Sequence, residues 1–368
     1  MHRLPNIQML RACAALMIVV YHCGIETGRL AETYGGSALF DESPWGAGVP
    51  LFFAISGFIM VVTSGDAFGS LPAARSFMRR RLIRIVPLYW TLTTVVFVIA
   101  VVAPRLIKAT PGDYLYVVAS YLYWPYVRLI GDVRPLVTPG WTLNLEMLFY
   151  TIFAVAMIFP RRTGYGLLFG SLALLVAARV GGLLPGVALN FWGDPIVLGF
   201  LFGAAVGILY NRGVRLSGPW AVTLLVIGFA AFFQPWRPSG LPDDLLPRLA
   251  WSIPSTLVLI AVALSPQVDE GRALWRPALL IGDASYSLYL LQEFLLRMLY
   301  LVWLKGAFAS MVLLWMFVPA GIAISVAACV ASYWYFEQPV ARWLKERPLQ
   351  AAINALRGSR RLATQNAA

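Results

Sequence analysis

The sequence predicts an all-α fold, a polytopic integral membrane protein with about ten transmembrane helices and both termini in the cytoplasm. Hydrophobic residues make up 60% of the 368 residues and charged residues only 12%, a balance too apolar for a water-soluble globule. Apolar runs of about 20 residues, the length that crosses a bilayer, recur along the whole chain. Basic residues gather in alternate connections between these runs, which fixes the predicted orientation.

The ten apolar runs define the predicted spans. In chain order they cover residues 8–26, 46–63, 84–103, 141–158, 165–184, 191–209, 219–236, 249–266, 279–304 and 311–335. Residues 1–345 are predicted to form a single transmembrane domain, and 346–368 a basic, disordered cytoplasmic tail. The acidic stretch from Glu26 to Trp45 is predicted to be a loop on the outer side.

The net charge of +12 indicates topology rather than a nucleic-acid partner. With the N-terminus placed inside, most of the 29 lysines and arginines fall on the cytoplasmic side, as the positive-inside rule requires. Membrane lipids are an expected partner, through contacts of basic residues with their phosphate groups. All three cysteines fall inside apolar spans, so the sequence predicts neither a disulfide framework nor a thiolate metal site. No metal ligands are assigned.

The first span carries two polar residues that are costly in a membrane, Arg11 and His22. Eleven steps of about 100° return them to one helix face, about 16 Å apart along the axis. For Arg11, snorkelling to the inner surface is an adequate explanation. His22 is either a hydrogen-bonded core or interface residue or a proton acceptor, and the chain has only one other histidine, His2 on the terminal tail.

Three further spans carry candidate site residues. Arg81 and Arg84, at positions i and i+3 before the third span, either anchor the helix to lipid phosphates or form a fork for a phosphorylated cytosolic ligand. Glu146 in the fourth span is predicted at the depth of His22, because the two helices run in opposite directions. Ser56 lies beside Gly57 in the second span, where its hydroxyl commonly bonds to the preceding turn, and the glycine lets a neighbouring helix approach closely.

The ninth span, GDASYSLYLLQEFLLR, is unusually polar, which predicts that one of its sides lines a cavity. Two functions are compatible with such intramembrane polar residues. One is an enzyme in which His22 acts as a base. The other is a polysaccharide or small-molecule transporter or flippase in which His22, Glu146 and Glu293 relay protons or line a glycan path.

Six stretches in fixed order resemble the membrane-bound acyltransferase-3 family, within its exopolysaccharide O-acetyltransferase (ExoZ-like) branch. They are Arg11 with His22, FFAISGF, RRRLIRIVPLYW, WTLNLEMLFY, GDASYSLYLLQ and WYFEQP. The resemblance implies a ten-helix enzyme of the bacterial inner membrane. Such an enzyme moves an acyl group, usually acetyl, from cytoplasmic acyl-CoA to a sugar hydroxyl of an exopolysaccharide or other surface glycan. The acceptor is expected to be lipid-linked, with acyl-CoA as a substrate and no permanently bound cofactor.

The resemblance also implies roles for individual residues. The catalytic histidine matches His22, and the donor-handling arginines match Arg11, Arg81 and Arg84. Trp141 and Glu146 match positions near the acceptor. Many relatives have a histidine where this chain has Gln292, so a second histidine has no counterpart here.

Acyl transfer from a thioester to an alcohol needs a base, a donor for the tetrahedral oxyanion and a positive site for the CoA phosphates. His22, assisted by Glu146, is the expected catalytic group, acting as base or as a transiently acylated residue. Arg81 and Arg84 are the expected phosphate site. The oxyanion donor is open between Asn144, Trp141 and Ser56, which are grouped as substrate-binding candidates.

Overall fold

The computed structural model of the protein describes residues 4–103, 113–128, 131–233, 245–306 and 311–346, and these ranges contain helices and connections but no strand. The predicted tail lies outside them apart from its first residue. The helices are α1 (Pro5–Thr33), α2 (Gly48–Ser64), α3 (Leu71–Val102), α4 (Tyr114–Tyr121), α5 (Gly140–Ala156), α6 (Arg161–Val180), α7 (Gly186–Trp192), α8 (Leu198–Asn211), α9 (Gly218–Phe233), α10 (Leu246–Ala263), α11 (Arg276–Asp283), α12 (Ser285–Lys305) and α13 (Met311–Ser332), and a π-helical turn, Tyr333–Glu337, follows α13. The all-α prediction is confirmed.

Seven helical segments in the described part of the chain are long and apolar enough to cross a membrane. They are Pro5–Thr33, Ser43–Ser64, Leu71–Val102, Arg161–Val180, Gly186–Asn211, Ser285–Lys305 and Leu313–Glu346. Two shorter apolar helices, Gly218–Phe233 and Arg248–Ala263, coincide with the seventh and eighth predicted spans. The 17 residues of α5 coincide with the fourth. Each predicted span thus contains a helix in its described part, although the sixth is interrupted before α8 and the ninth divides into α11 and α12. The number of crossings and the orientation of the termini stay predictions.

Exposed apolar side chains mark the faces that would meet lipid. Val222 and Val226, one turn apart on α9, are each 61% exposed, and Val95 and Val98 on α3 are about half exposed. Exposed rows of apolar side chains are costly in water. In a bilayer they contact lipid chains, which are equally apolar, at little cost. The inward faces of the same helices pack into the interior.

Close packing in the interior depends on small residues, as predicted for Gly57. A Cβ atom built on Gly57 of α2 would lie 2.0 Å from the carbonyl oxygen of Phe200 on α8. A Cβ on Gly203 of α8 would lie 1.8 Å from the carbonyl oxygen of Ala54 on α2. The two backbones therefore touch in both directions, which any larger residue would prevent.

The predicted outer loop begins too early, because α1 continues to Thr33 instead of ending near residue 26. Glu26, expected in that loop, is a buried residue of the helix. Its carboxylate pairs with Arg29 at 2.6 Å and with Arg297 of α12 at 3.1 Å. The two guanidinium groups compensate the buried charge, so the helix extends past the acidic residue.

Candidate active site

A cavity lies between α1, α2, α3, α5 and α12, and it is lined by five of the eight residues predicted for the site. Those five are Arg11, Ser56, Arg81, Arg84 and Glu146. The other polar residues of its wall are Thr142, Tyr150, Ser285, Tyr286 and Tyr289. His22, Trp141 and Asn144 lie outside this wall. The cavity thus joins residues from distant parts of the sequence around a strongly basic set of side chains.

Arg81 is held on one wall of the cavity by aromatic rings. Its guanidinium carbon lies 5.5 Å from the ring centre of Phe77 and 5.8 Å from that of Tyr150. The buried Nε atom has no hydrogen-bond partner among the described residues. Arg84, one turn further along α3, lines the same cavity. The pair therefore presents two positive groups to the cavity on one helix face, as the i, i+3 spacing predicts.

Glu146 belongs to the arginine side of the cavity. Its Oε1 accepts hydrogen bonds from the Ser56 hydroxyl, at 3.1 Å, and from the Tyr150 hydroxyl. Tyr150 follows Glu146 by four residues, so both project from one face of α5. Arg81 is close enough to interact electrostatically with the Glu146 carboxylate. The predicted capping of the preceding turn by Ser56 is replaced by this bond to Glu146.

Arg11 is buried, with 7% of its surface exposed, so the expectation that it snorkels to the inner surface is wrong. Its guanidinium donates to the Ser285 hydroxyl at 2.7 Å and to the Gln8 side-chain oxygen at 2.8 Å. Gln8 in turn donates to Asp283 at 2.9 Å. Hydrogen bonds on both sides of the guanidinium offset the cost of burying the charge.

The predicted polar side of the ninth span does line the cavity, through Ser285, Tyr286 and Tyr289. The Tyr286 hydroxyl donates to the carbonyl oxygen of Ile85 on α3 at 2.6 Å. Ser287, next to it, donates at 2.8 Å to Glu337 in the π-helical turn. Glu337 is a neighbour that the site prediction missed, although an acidic residue in the apolar WYFEQP stretch was a usable signal.

Trp141 and Asn144 do not reach the cavity, whereas Thr142 does. The Thr142 hydroxyl lies 2.7 Å from the Tyr289 hydroxyl and bonds to the Pro139 carbonyl oxygen. Residues 142, 146 and 150 repeat every four positions and share the inward face of α5. Asn144 points about 200° away from Thr142 and is buried elsewhere, and Trp141 packs against the hydrophobic core. Of the three candidates for oxyanion donor, only Ser56 is on the cavity wall.

His22 lies further along α1 than the cavity, toward the outer end predicted for this helix. Its Nδ1 is 2.9 Å from the Ile18 carbonyl oxygen and 3.2 Å from the Gln292 side-chain nitrogen. The Tyr21 ring packs edge-on against the imidazole. Among the described residues its hydrogen-bond partners thus come from α1 and α12. The expected partnership with Glu146 is not formed, since that carboxylate faces Ser56 and Tyr150.

Polar contacts between α1 and α12 form a seam along the two helices. Its three steps are the bonds from Arg11 to Ser285, from Gln292 to His22 and from Arg297 to Glu26. Each contact joins residues about 270 positions apart in sequence, which no local pattern reveals. This α1–α12 seam connects the basic cavity with the surroundings of His22.

The described residues contain no group of three or more His, Cys, Asp or Glu side chains placed to hold a metal ion. The three cysteines are free thiols, and Cys23 and Cys329 are buried. The polar chemistry near the cavity therefore comes from guanidinium, carboxylate, hydroxyl and imidazole groups. This set suits binding of an anionic ligand together with proton transfer.

Comparison with known proteins shows the family of this helical chain. The acyltransferase domain family matches residues 4–334, so the chain belongs to that family. It is 33% identical to the exopolysaccharide production protein ExoZ of Rhizobium meliloti over 318 residues, covering 83% of this chain and 93% of the relative.

Two further relatives are more distant. The acyltransferase MdmB of Streptomyces mycarofaciens is 26% identical, with 95% of each chain covered. The O-acetyltransferase OatA of Staphylococcus aureus is 25% identical over 78% of this chain and 49% of the relative. No solved structure matches the fold closely enough to be compared. The protein is thus a multi-pass membrane protein of an acyltransferase family.

Proposed function

We propose that the protein is an O-acyltransferase of the bacterial inner membrane that moves an acetyl or other acyl group from cytoplasmic acyl-CoA to a sugar hydroxyl of an exopolysaccharide or other surface glycan. The observation that carries the proposal is the cavity lined by Arg11, Arg81 and Arg84. Two relatives, an exopolysaccharide production protein and an O-acetyltransferase, support the same reaction class.

The arginines suit a donor that carries phosphate groups. Arg81 and Arg84 form no direct ion pair with a carboxylate among the described residues, although Glu146 interacts electrostatically with Arg81 and Glu337 with Arg84. Neither guanidinium is thus directly paired, and both can form hydrogen bonds to a ligand. Guanidinium groups bind phosphate oxygens through paired, charge-assisted hydrogen bonds. In this proposal they hold the phosphate end of acyl-CoA at the inner mouth of the cavity while the thioester extends inward.

The transfer step places His22 on the acceptor side. The acceptor oxygen attacks the thioester carbonyl carbon, and the imidazole Nε2 takes the proton of the acceptor hydroxyl. Collapse of the tetrahedral intermediate breaks the carbon–sulfur bond, and the imidazolium returns its proton to the leaving thiolate. The ester and free CoA are then the products, and His22 is again neutral.

The surroundings of His22 suit a sugar. Arg134, in the connection before α5, interacts electrostatically with both His22 and Glu293, and Thr138 is a hydrogen-bond partner of Glu293. Carboxylate, guanidinium and hydroxyl groups are the usual hydrogen-bond partners of sugar hydroxyls. A lipid-linked acceptor would approach this position from the membrane surface.

The experiment uses the full chain purified in nanodiscs, with labelled acetyl-CoA and lipid-linked glycan extracted from a strain that lacks the gene. We expect labelled ester on the glycan, removed by mild alkali, and no transfer by heat-denatured protein. In cells, the deletion should remove ester signals from the polymer in proton NMR while polymer export continues. Loss of export with normal ester content would favour the transporter alternative and contradict the proposal.

A further inference from the structure

The contacts of the His22 imidazole fix which ring nitrogen carries the proton. Nδ1 lies 2.9 Å from the carbonyl oxygen of Ile18, one turn earlier on α1. A carbonyl oxygen can only accept a hydrogen bond, so at this distance Nδ1 must be the protonated nitrogen. In the neutral ring, Nε2 is then left with its lone pair free.

The Gln292 side chain is the second partner of Nδ1. As placed, its amide nitrogen lies 3.2 Å from Nδ1, and its amide oxygen is buried without a hydrogen-bond partner among the described residues. A protonated Nδ1 cannot accept a bond from that nitrogen. The oxygen and nitrogen of an amide are distinguished only by their hydrogen bonds, so the consistent arrangement has the amide turned over, with Oε1 facing the Nδ1 proton.

We infer that Gln292 is a positioning residue that shares the Nδ1 proton of His22 with the Ile18 carbonyl and so holds the imidazole in the tautomer whose Nε2 can act as a base. Gln292 is fully buried, so water does not compete for this bond. When Nε2 takes a proton from the acceptor hydroxyl, the same two oxygens bind the Nδ1–H of the imidazolium. The role in catalysis rests on the proposed function, whereas the tautomer does not.

A neutral amide performs this positioning without adding a second titrating group. The charged side chains that interact with His22 are Arg134, from the connection before α5, and Arg29, from α1 itself. Tyr21 contributes its ring edge. The chain has one other histidine, His2, so the nitrogen signals of His22 can be assigned directly.

Two variants of the full chain in nanodiscs test the inference. For Gln292→Leu we expect kcat to fall roughly tenfold or more, with the KM for acyl-CoA unchanged, because the base loses its orientation. For Gln292→Glu we expect retained activity and an acid limb of the pH profile moved to higher pH by about one unit, since a carboxylate stabilises the imidazolium. Nitrogen-15 NMR of wild-type protein should show His22 protonated at Nδ1.

Leu299→Ala, a packing change in the outer half of the same helix, is the matched control and should lower thermal stability without moving the pH profile. Wild-type kcat and pH profile in Gln292→Leu would overturn the inference, as would an Nε2-protonated His22. A different result would contradict the proposed function alone. In that case NMR shows the Nδ1 tautomer in wild-type protein, but the protein transfers no acyl group to the glycan.

Discussion

Replacing Arg81 tests whether the basic cavity binds the donor. The Arg81 guanidinium packs against the Phe77 and Tyr150 rings, and it has a buried nitrogen without a partner among the described residues. The rings therefore orient it, and its removal costs the fold these ring contacts and the charge beside Glu146, and costs the ligand a charge-assisted bond. Such a bond contributes about 1.5–3 kcal/mol. In Arg81→Ala this corresponds to a rise in the KM for acyl-CoA of roughly 10- to 150-fold.

Arg80, which precedes Arg81 on α3, offers a matched control. Arg80 is exposed and donates to Ser76 on its own helix, so Arg80→Ala removes the same charge from the same membrane surface without changing the cavity. The assay titrates labelled acyl-CoA at saturating glycan, and glycan at saturating acyl-CoA. It then compares the KM of each substrate between the variants and the wild-type protein. We expect Arg81→Ala to raise the donor KM alone and Arg80→Ala to leave it unchanged. If both variants changed the donor KM equally, or changed only the abundance of the protein in the membrane, Arg80 and Arg81 would only anchor the helix to lipid.

Three further predictions concern the base, the carboxylate and the helix packing. His22→Ala should reduce ester formation roughly 10²–10⁴-fold at normal membrane abundance. Wild-type activity should fall as acidification protonates the imidazole. Substantial transfer by purified His22→Ala protein would show that His22 is not the base. Glu146→Gln keeps an acceptor for Ser56 and Tyr150 but loses the charge beside Arg81. Turnover should therefore drop by roughly 5- to 30-fold in a folded protein. Full activity would exclude Glu146 from the site. Gly203→Val should prevent accumulation of folded protein because its Cβ would overlap the Ala54 carbonyl, whereas Gly170→Ala, in open space on α6, should be tolerated. Fluorescence-detected size exclusion compares the yields of the two variants. Equal yields would contradict the close packing.

The sequence predicted features that depend on composition or on one helix alone. Apolar run length located a helix within each predicted span, and the glycine at position 57 indicated a close approach by a neighbouring helix, which is α8. The spacing of Arg81 and Arg84 predicted a common face, and both line the cavity. These features follow from the periodicity of a single helix and need no knowledge of its neighbours.

Features that depend on how one helix is rotated against another were not predictable. Chain direction predicts the depth of Glu146 in the membrane, but depth does not determine which way a side chain points. Packing turned it toward Ser56 and Tyr150 rather than toward His22. The predicted end of α1 is wrong for a similar reason, because one of the two arginines that compensate Glu26 is Arg297, which lies far along the chain.

The spacing of Arg11 and His22 on α1 bears on the class of donor. The two Cα atoms are separated by about 16 Å along the helix, with Arg11 on the cavity wall and His22 beyond it. A donor bound by its phosphates near the arginines must carry its acyl group across most of that distance to meet the base. In an acyl phosphate the phosphate adjoins the acyl carbon, so both cannot occupy their positions together. Acyl-CoA places a long flexible arm between its phosphates and its thioester, so this spacing supports the proposal that the donor is a CoA thioester rather than a compact activated acid.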